Sequence, residues 1–230
     1  MENVLKERFG EEWYEVLEQH INSPSFDALG KFLKEERARK TVYPEPQNYF
    51  RAFKVTPFNS VKVVILGQDP YPNGEADGLA FSVNEDAFVV KCPPSLKAIF
   101  DEIEQDVYAG FKVEQDWNLE RWAKQGVLLI NTVGSVVKGQ PKSHAYNGWE
   151  EFTKVVIKKL SEDYNNRKVF LLWGSDAKAY ASLIDEGVHL VLKSGHPATK
   201  YYETDYWTGN KHFSQVNKFL TEQNKETILW

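Results

Sequence analysis

Four short segments of this 230-residue chain hold the side chains best suited to chemistry. They are Gly67-Gln68-Asp69-Pro70-Tyr71, Asn131-Thr132, Gly174-Ser175 and Ser194-Gly195-His196-Pro197. Asp69 supplies an anion, although an Asp before Pro also commonly starts a turn. Asn131 carries an amide that donates and accepts at once; at a strand end it also suits a turn cap. His196 as a neutral imidazole donates from one nitrogen without needing a charge, and a lone His is equally an ordinary core or surface residue. Ser175, Gly174 and Ser95 (in Pro93-Pro94-Ser95) stand at helix starts. Hydroxyls and free N–H groups there suit phosphate oxygens, and Ser there also serves as a simple N-cap.

Side chains this far apart meet only if the elements before them converge. Four apolar runs precede the four segments: Val61–Leu66, Val127–Asn131, Lys168–Trp173 and His189–Leu192. Each is strand length, rich in Val, Ile or Leu, and without clean polar alternation, which predicts strands buried on both faces. Helical spacing is read at residues 2–20, 25–39, 95–105, 119–124, 148–160, 175–184 and 212–220, with a short helix near 47–53 inside an irregular lead-in over 41–57. Strands alternating with helices predict an α/β fold, a three-layer α/β/α domain around a central four-stranded parallel twisted sheet. Residues 1–230 are read as one domain, with the helices of 1–40 packed on it. Ligands of such sheets bind beyond the carboxyl ends of the strands, where the four polar segments lie.

Composition narrows the function classes. Apolar residues make up 42% and charged residues 27%, as expected of a globular protein. Cys92 is the single cysteine, which excludes an internal disulfide and argues against a zinc site. No apolar run approaches a membrane span. The opening Met1-Glu2-Asn3-Val4-Leu5-Lys6-Glu7-Arg8 lacks the basic-then-apolar pattern of a secretory signal. The expected setting is the cytoplasm, or the nucleus for a eukaryotic or nuclear-virus source. The net charge of −5 argues against wrapping long duplexes by charge alone. Lys91, Lys138, Lys142, Lys193 and Lys200 flank the polar segments and suggest a local basic rim. Seven Trp are expected mostly in the core.

The segments in this order resemble the family 1 uracil-DNA glycosylases. The resemblance spans about residues 40–220. Val63-Val64-Ile65-Leu66-Gly67-Gln68-Asp69-Pro70-Tyr71 carries it most specifically, followed by Gly78-Leu79-Ala80-Phe81-Ser82-Val83, Pro93-Pro94-Ser95-Leu96, Leu128-Leu129-Ile130-Asn131-Thr132, Gly148-Trp149-Glu150, Trp173-Gly174-Ser175 and His196-Pro197. It implies a DNA-repair enzyme that flips uracil out of the stack and hydrolyses its N-glycosidic bond. By resemblance Asp69 orients the attacking water and stabilises the cationic sugar, and His196 donates to uracil O2. Asn131 reads O4 and N3–H, Phe81 stacks on the base, and Tyr71 fills the space of thymine's methyl. Gln68 contributes its backbone N–H. DNA contacts fall to Pro94, Ser95, Gly174, Ser175, Pro197, Ala198, Thr199, Lys200 and Tyr201. No metal or organic cofactor is implied. The expected partners are uracil-containing single- and double-stranded DNA and protein inhibitors that mimic DNA, and the expected state is a monomer.

Two departures stand out. The family usually has His after Gln-Asp-Pro-Tyr, where this chain has Pro72, and Pro72 biases Tyr71 towards extended backbone. After His-Pro the family continues Ser-Pro-Leu, with the Leu entering the duplex; here Ala198, Thr199 and Lys200 follow. Tyr201 or Tyr202 fills the gap by stacking, or packs against the next loop. A weak wedge favours single-stranded DNA, in which no pairing need be broken. Two other classes stand beside this one. A non-catalytic DNA-binding or replication-accessory protein would keep the fold. A nucleotide-binding α/β enzyme is weakened by the absence of both glycine-rich phosphate-binding motifs.

Overall fold

A computed structural model describes residues 2–86, 91–198 and 206–230. The chain opens with three helices, α1 (Glu2–Phe9), α2 (Glu11–Ile21) and α3 (Pro24–Arg39). The single helix expected over 2–20 is broken at Gly10, whose φ of 81° lies where L-residues rarely go. Ser23 caps α3, its Oγ accepting from Phe26 N–H at 3.3 Å. Phe9, Trp13 and Leu17 insert into the core. Trp13 Nε1–H donates to Thr56 O at 2.8 Å, and Thr56 Oγ1 in turn donates to Ala123 O at 3.0 Å. The N-terminal helices therefore share one buried cluster with the sheet.

The lead-in after α3 is not wholly irregular. It contains β1 (Val42–Tyr43), a 3₁₀ turn at Pro46–Asn48, α4 (Arg51–Val55) and a 3₁₀ turn at Phe58–Ser60. Next come β2 (Val63–Gly67), α5 (Pro94–Asp106), α6 (Glu120–Ala123), β3 (Val127–Asn131), β4 (Val136–Val137) and α7 (Trp149–Ser161). The chain ends with β5 (Val169–Trp173), α8 (Ser175–Lys178), β6 (Leu190–Ser194) and α9 (His212–Glu222). The helix expected over 175–184 is cut to the four residues of α8 and a separate 3₁₀ turn at Ala181–Leu183.

The main sheet has four parallel strands in the order β3-β2-β5-β6, as expected of a doubly covered α/β sheet. β2 and β5 are buried along their whole length. β6 is an edge strand with half-buried Leu190, Val191 and Leu192 and an exposed Lys193, so burial on both faces fails there. An antiparallel ribbon, with Val42 opposite Val137 and Tyr43 opposite Val136, forms beside the sheet. Strands of two residues are too short for periodicity to reveal. The ribbon sets where loop 138–148 departs, through Lys138 N–H on Thr41 O at 2.9 Å.

Candidate active site

The strand ends meet at one face. Parallel register puts Gly67 directly opposite Asn131. A Cβ built on residue 67 would lie 2.2 Å from Asn131 Oδ1, so only glycine lets the amide lie against β2. Beyond the strands, Thr132 N–H donates to Gly67 O at 2.9 Å and Val133 N–H to Gln68 O at 3.0 Å. Thr132 Oγ1 adds a bond to Gln68 O at 2.7 Å. The loop is thereby stitched to the exit of β3 before Asp69 is reached.

Both carboxylate oxygens of Asp69 are held. Oδ1 accepts from Gln68 Nε2 at 2.8 Å, and Oδ2 accepts from the backbone N–H of Lys142 at 2.7 Å. Lys142 sits at φ 62°, an unusual value for a non-glycine residue, which turns its N–H into the cleft. The backbone carbonyl of Pro72 in turn accepts from Gly139 N–H at 2.9 Å, which ties this loop to loop 138–148 whatever side chain stands at 72.

The Tyr71 hydroxyl donates to Phe81 O at 3.3 Å and shares a 2.9 Å hydrogen bond with Ser95 Oγ. Burial pushes the Tyr71 phenol well above its ordinary pKa, so it stays protonated. Phe81 itself has a φ of 65°, and its ring lies 6.0 Å from the His196 imidazole and 5.7 Å from Trp173. His196 follows β6, and its Nδ1 accepts from Ala198 N–H at 3.1 Å. In a neutral ring that acceptor role puts the proton on Nε2, making Nε2 a donor. Gly174 leaves the room this needs, since a Cβ there would come within 3.0 Å of His196 Cβ.

These groups line one cavity of about 150 Å³, with Gln68, Asp69, Tyr71, Phe81, Ser95, Asn131 and His196 on its walls. Among the described residues the amide of Asn131 makes no side-chain hydrogen bond, so its donor and acceptor both remain for a ligand. A larger groove of about 830 Å³ beside Trp117 and Trp230 lies away from the strand ends and holds none of these groups. Among the described residues no group of three or more His, Cys, Asp or Glu is placed to hold a metal ion. Burial pushes the Cys92 thiol up to about 11, which disfavours its thiolate at neutral pH.

The profile of the uracil DNA glycosylase superfamily matches residues 53–221. The uracil-DNA glycosylase of Flavobacterium johnsoniae is 46% identical over 220 residues, covering 95% of this chain and 96% of its own. The chain belongs to the uracil DNA glycosylase superfamily. The crystal structure of mimivirus uracil-DNA glycosylase superposes with a TM-score of 0.85 at 28% identity, covering 96% of this chain and 87% of that one. The mimivirus UNG Y322L variant, solved in complex with UGI, superposes equally well, with a TM-score of 0.85 and 28% identity over 96% and 88% of the two chains.

Other residues expected at the site of this superfamily member take varied positions. Pro94, Ala198 and Ser175 are exposed, whereas Gly174 and Pro197 are buried. Ser95 is buried and bonded to Tyr71, so its hydroxyl does not stand open at the surface. Thr199, Lys200 and Tyr201, with Tyr202, lie outside the described residues. The basic rim needs correction. Lys142 Nζ pairs with Asp176 at 3.0 Å and Lys193 Nζ with Glu186 at 2.6 Å, which offsets much of their charge. Lys91 and Lys138 are exposed, and Lys200 is not described. Sequence reasoning missed Pro141, which lines the cavity, and the working N–H of Lys142. Gly139 and Gly148, at φ 70° and 103°, bracket that loop and are the signal that marks it as tightly shaped.

Proposed function

We propose that the protein is a DNA-repair enzyme that hydrolyses the N-glycosidic bond of uracil in DNA and leaves an abasic site. The observation that carries this reading is the convergence of Asp69, Asn131 and His196, from the ends of three strands, on one base-sized cavity. The uracil is flipped into that cavity. Water adds to the sugar carbon as the glycosidic bond breaks, its surplus proton passes to the Asp69 carboxylate, and the bonding electron pair leaves with the uracil as an anion. Asp69 orients the water and faces the cationic sugar, supported by a carboxylate held at both oxygens. His196 donates from Nε2 to O2 of the departing base, supported by the N–H that Ala198 gives to Nδ1. Asn131 pairs with O4 and N3–H, and cytosine presents the opposite pattern, which strands buried polar groups. Phe81 stacks on the ring, Tyr71 excludes the thymine methyl, and the N–H of Gln68 faces the base. No metal or organic cofactor is required.

The family 1 branch is the finer reading, carried by the Gln68-Asp69-Pro70-Tyr71 and His196-Pro197 motifs. Phosphate contacts fall to Ser175 with the backbone at Gly174, and to the segment around Pro94 and Pro197–Tyr201. The apolar wedge of the family is replaced at Lys200, so Tyr201 or Tyr202 stacks into the gap and single strands are the relatively better substrate. A protein inhibitor that mimics DNA is a further expected partner, and the mimivirus relative has been solved in complex with UGI.

Incubation with oligonucleotides bearing one uracil, in EDTA, should yield alkali-sensitive abasic sites. No product from single- or double-stranded substrate would remove the reading. Asn131→Asp should gain activity on cytosine and Tyr71→Ala on thymine. Loss of uracil activity without those gains would overturn the pocket assignment.

A further inference from the structure

The geometry points to Asp77, with Ser82 and Arg51, as a positioning device for the base-stacking ring. Phe81 is held at φ 65°, a conformation that bulky L-residues avoid and that persists only where surroundings over-determine it. The surroundings here converge on one carboxylate. Asp77 Oδ1 accepts from Leu79 N–H at 2.9 Å. Asp77 Oδ2 accepts from Ser82 Oγ at 2.7 Å and from Arg51 Nη1 at 2.5 Å. Ser82 Oγ also accepts from Leu119 N–H at 3.0 Å. Between these anchors, Ala80 N–H donates to Leu129 O on β3 at 3.1 Å. Neighbours on both sides of Phe81 are thus fixed, and the ring has one way to face.

Asp77 is 3% exposed and does not line the cavity, so it acts through Phe81 and not on the substrate. The second arm of Arg51 holds Glu120, which keeps the guanidinium aimed between the two carboxylates. Gly78 completes the turn. Its φ is 95°, and a Cβ there would fall 2.2 Å from Asn48 O, so the turn presses on the 3₁₀ segment before α4. A buried ion pair need not add stability relative to apolar packing, but this one hydrogen-bonds two residues that flank the ring.

This inference rests on Phe81 stacking against the base. In Asp77→Asn an amide nitrogen replaces one of the two accepting oxygens and faces either Leu79 N–H or the Ser82–Arg51 donors, so the anchor loses an acceptor while its shape is kept. Inhibition by free uracil should weaken about tenfold and kcat/KM should fall in parallel, measured well below each variant's Tm. Phe81→Leu should weaken uracil binding at least as far, and the double variant no further. Ser82→Ala, which removes the bonds to Asp77 and to Leu119 N–H but no charge, should weaken uracil several-fold, and it decides the matter if Asp77→Asn does not fold. Lower Tm with unchanged uracil inhibition in Asp77→Asn, or in Ser82→Ala, would overturn the positioning role, as would additive losses in the double variant. Unchanged inhibition in Phe81→Leu would instead overturn the stacking assignment.

Discussion

The backbone N–H of Lys142 lies 2.7 Å from Oδ2 of Asp69, across a separation of 73 residues in the chain. The ammonium of the same residue points elsewhere, to Asp176. The working part of Lys142 is therefore its peptide, and glycine accepts its φ of 62° without strain. Lys142→Gly should keep uracil excision within about threefold of the parent, because an exposed ion pair contributes little. Asp69→Asn, with the same shape and no charge, should lose on the order of 10²–10⁴ in single-turnover rate. A collapse of Lys142→Gly to the level of Asp69→Asn would show that the ammonium matters.

Gly67 and Asn131 form the tightest fit at the site, with 2.2 Å between a built Cβ and Oδ1. Gly67→Ala must displace the amide or part the strands. Overpacking of this kind costs about 1–3 kcal/mol, and the misplaced amide should lower kcat/KM for uracil by roughly 100-fold. Thermal melts and steady-state kinetics test both. Unchanged kinetics would mean that Asn131 does not read the base from this position.

Ser95 and Tyr71 predict a specificity effect. Their 2.9 Å bond, with the Phe81 carbonyl beyond, holds the Tyr71 ring, to which the proposed function gives the exclusion of the thymine methyl. Ser95→Ala removes one neutral hydrogen bond and Tyr71→Phe removes two, at about 1 kcal/mol for each bond. Each should raise the thymine-to-uracil excision ratio several-fold, less than Tyr71→Ala. If Ser95 serves only a phosphate, Ser95→Ala will slow uracil excision and leave that ratio where it was.

Acid should weaken the fold through a histidine away from the chemistry. His212 Nδ1 accepts from Trp173 Nε1–H at 3.0 Å, and burial pushes its pKa down to about 4. The unfolded chain binds that proton near pH 6.5, so between about 6.5 and 4 it holds more protons than the native state. The stabilisation is complete above about pH 6.5 and is lost as the pH falls towards 4, roughly 3 kcal/mol at most. Burial moves His144 and His189 in the same direction. Urea unfolding from pH 7 to 4.5 should show a shallower loss in His212→Gln than in the parent. Parallel curves would remove His212 from the explanation.

Much of the sheet and pocket was legible in the residues themselves. Runs such as Val63–Leu66 and Val169–Trp173 are apolar on both faces and too short for buried helices, so they declare parallel strands. Once the strands are known, the rule that ligands sit at carboxyl ends collects Asp69, Asn131 and His196 at one cleft. The resemblance then attached roles to them. Burial of most Trp side chains was equally legible, because large apolar rings seldom stay in water.

The tertiary structure alone decided how those groups are held. The ribbon of β1 and β4, the N–H that Lys142 gives to Asp69, the Ser95–Tyr71 bond and the Asp77 anchor join residues through space. Periodicity and turn chemistry are local signals and carry no trace of partners dozens of residues away. The same limit hid which ring nitrogen of His196 is left as the donor, which follows from the N–H that Ala198 presents to Nδ1. Residue types determined which chemistry was available at this cleft, and long-range packing determined the geometry in which each group is presented.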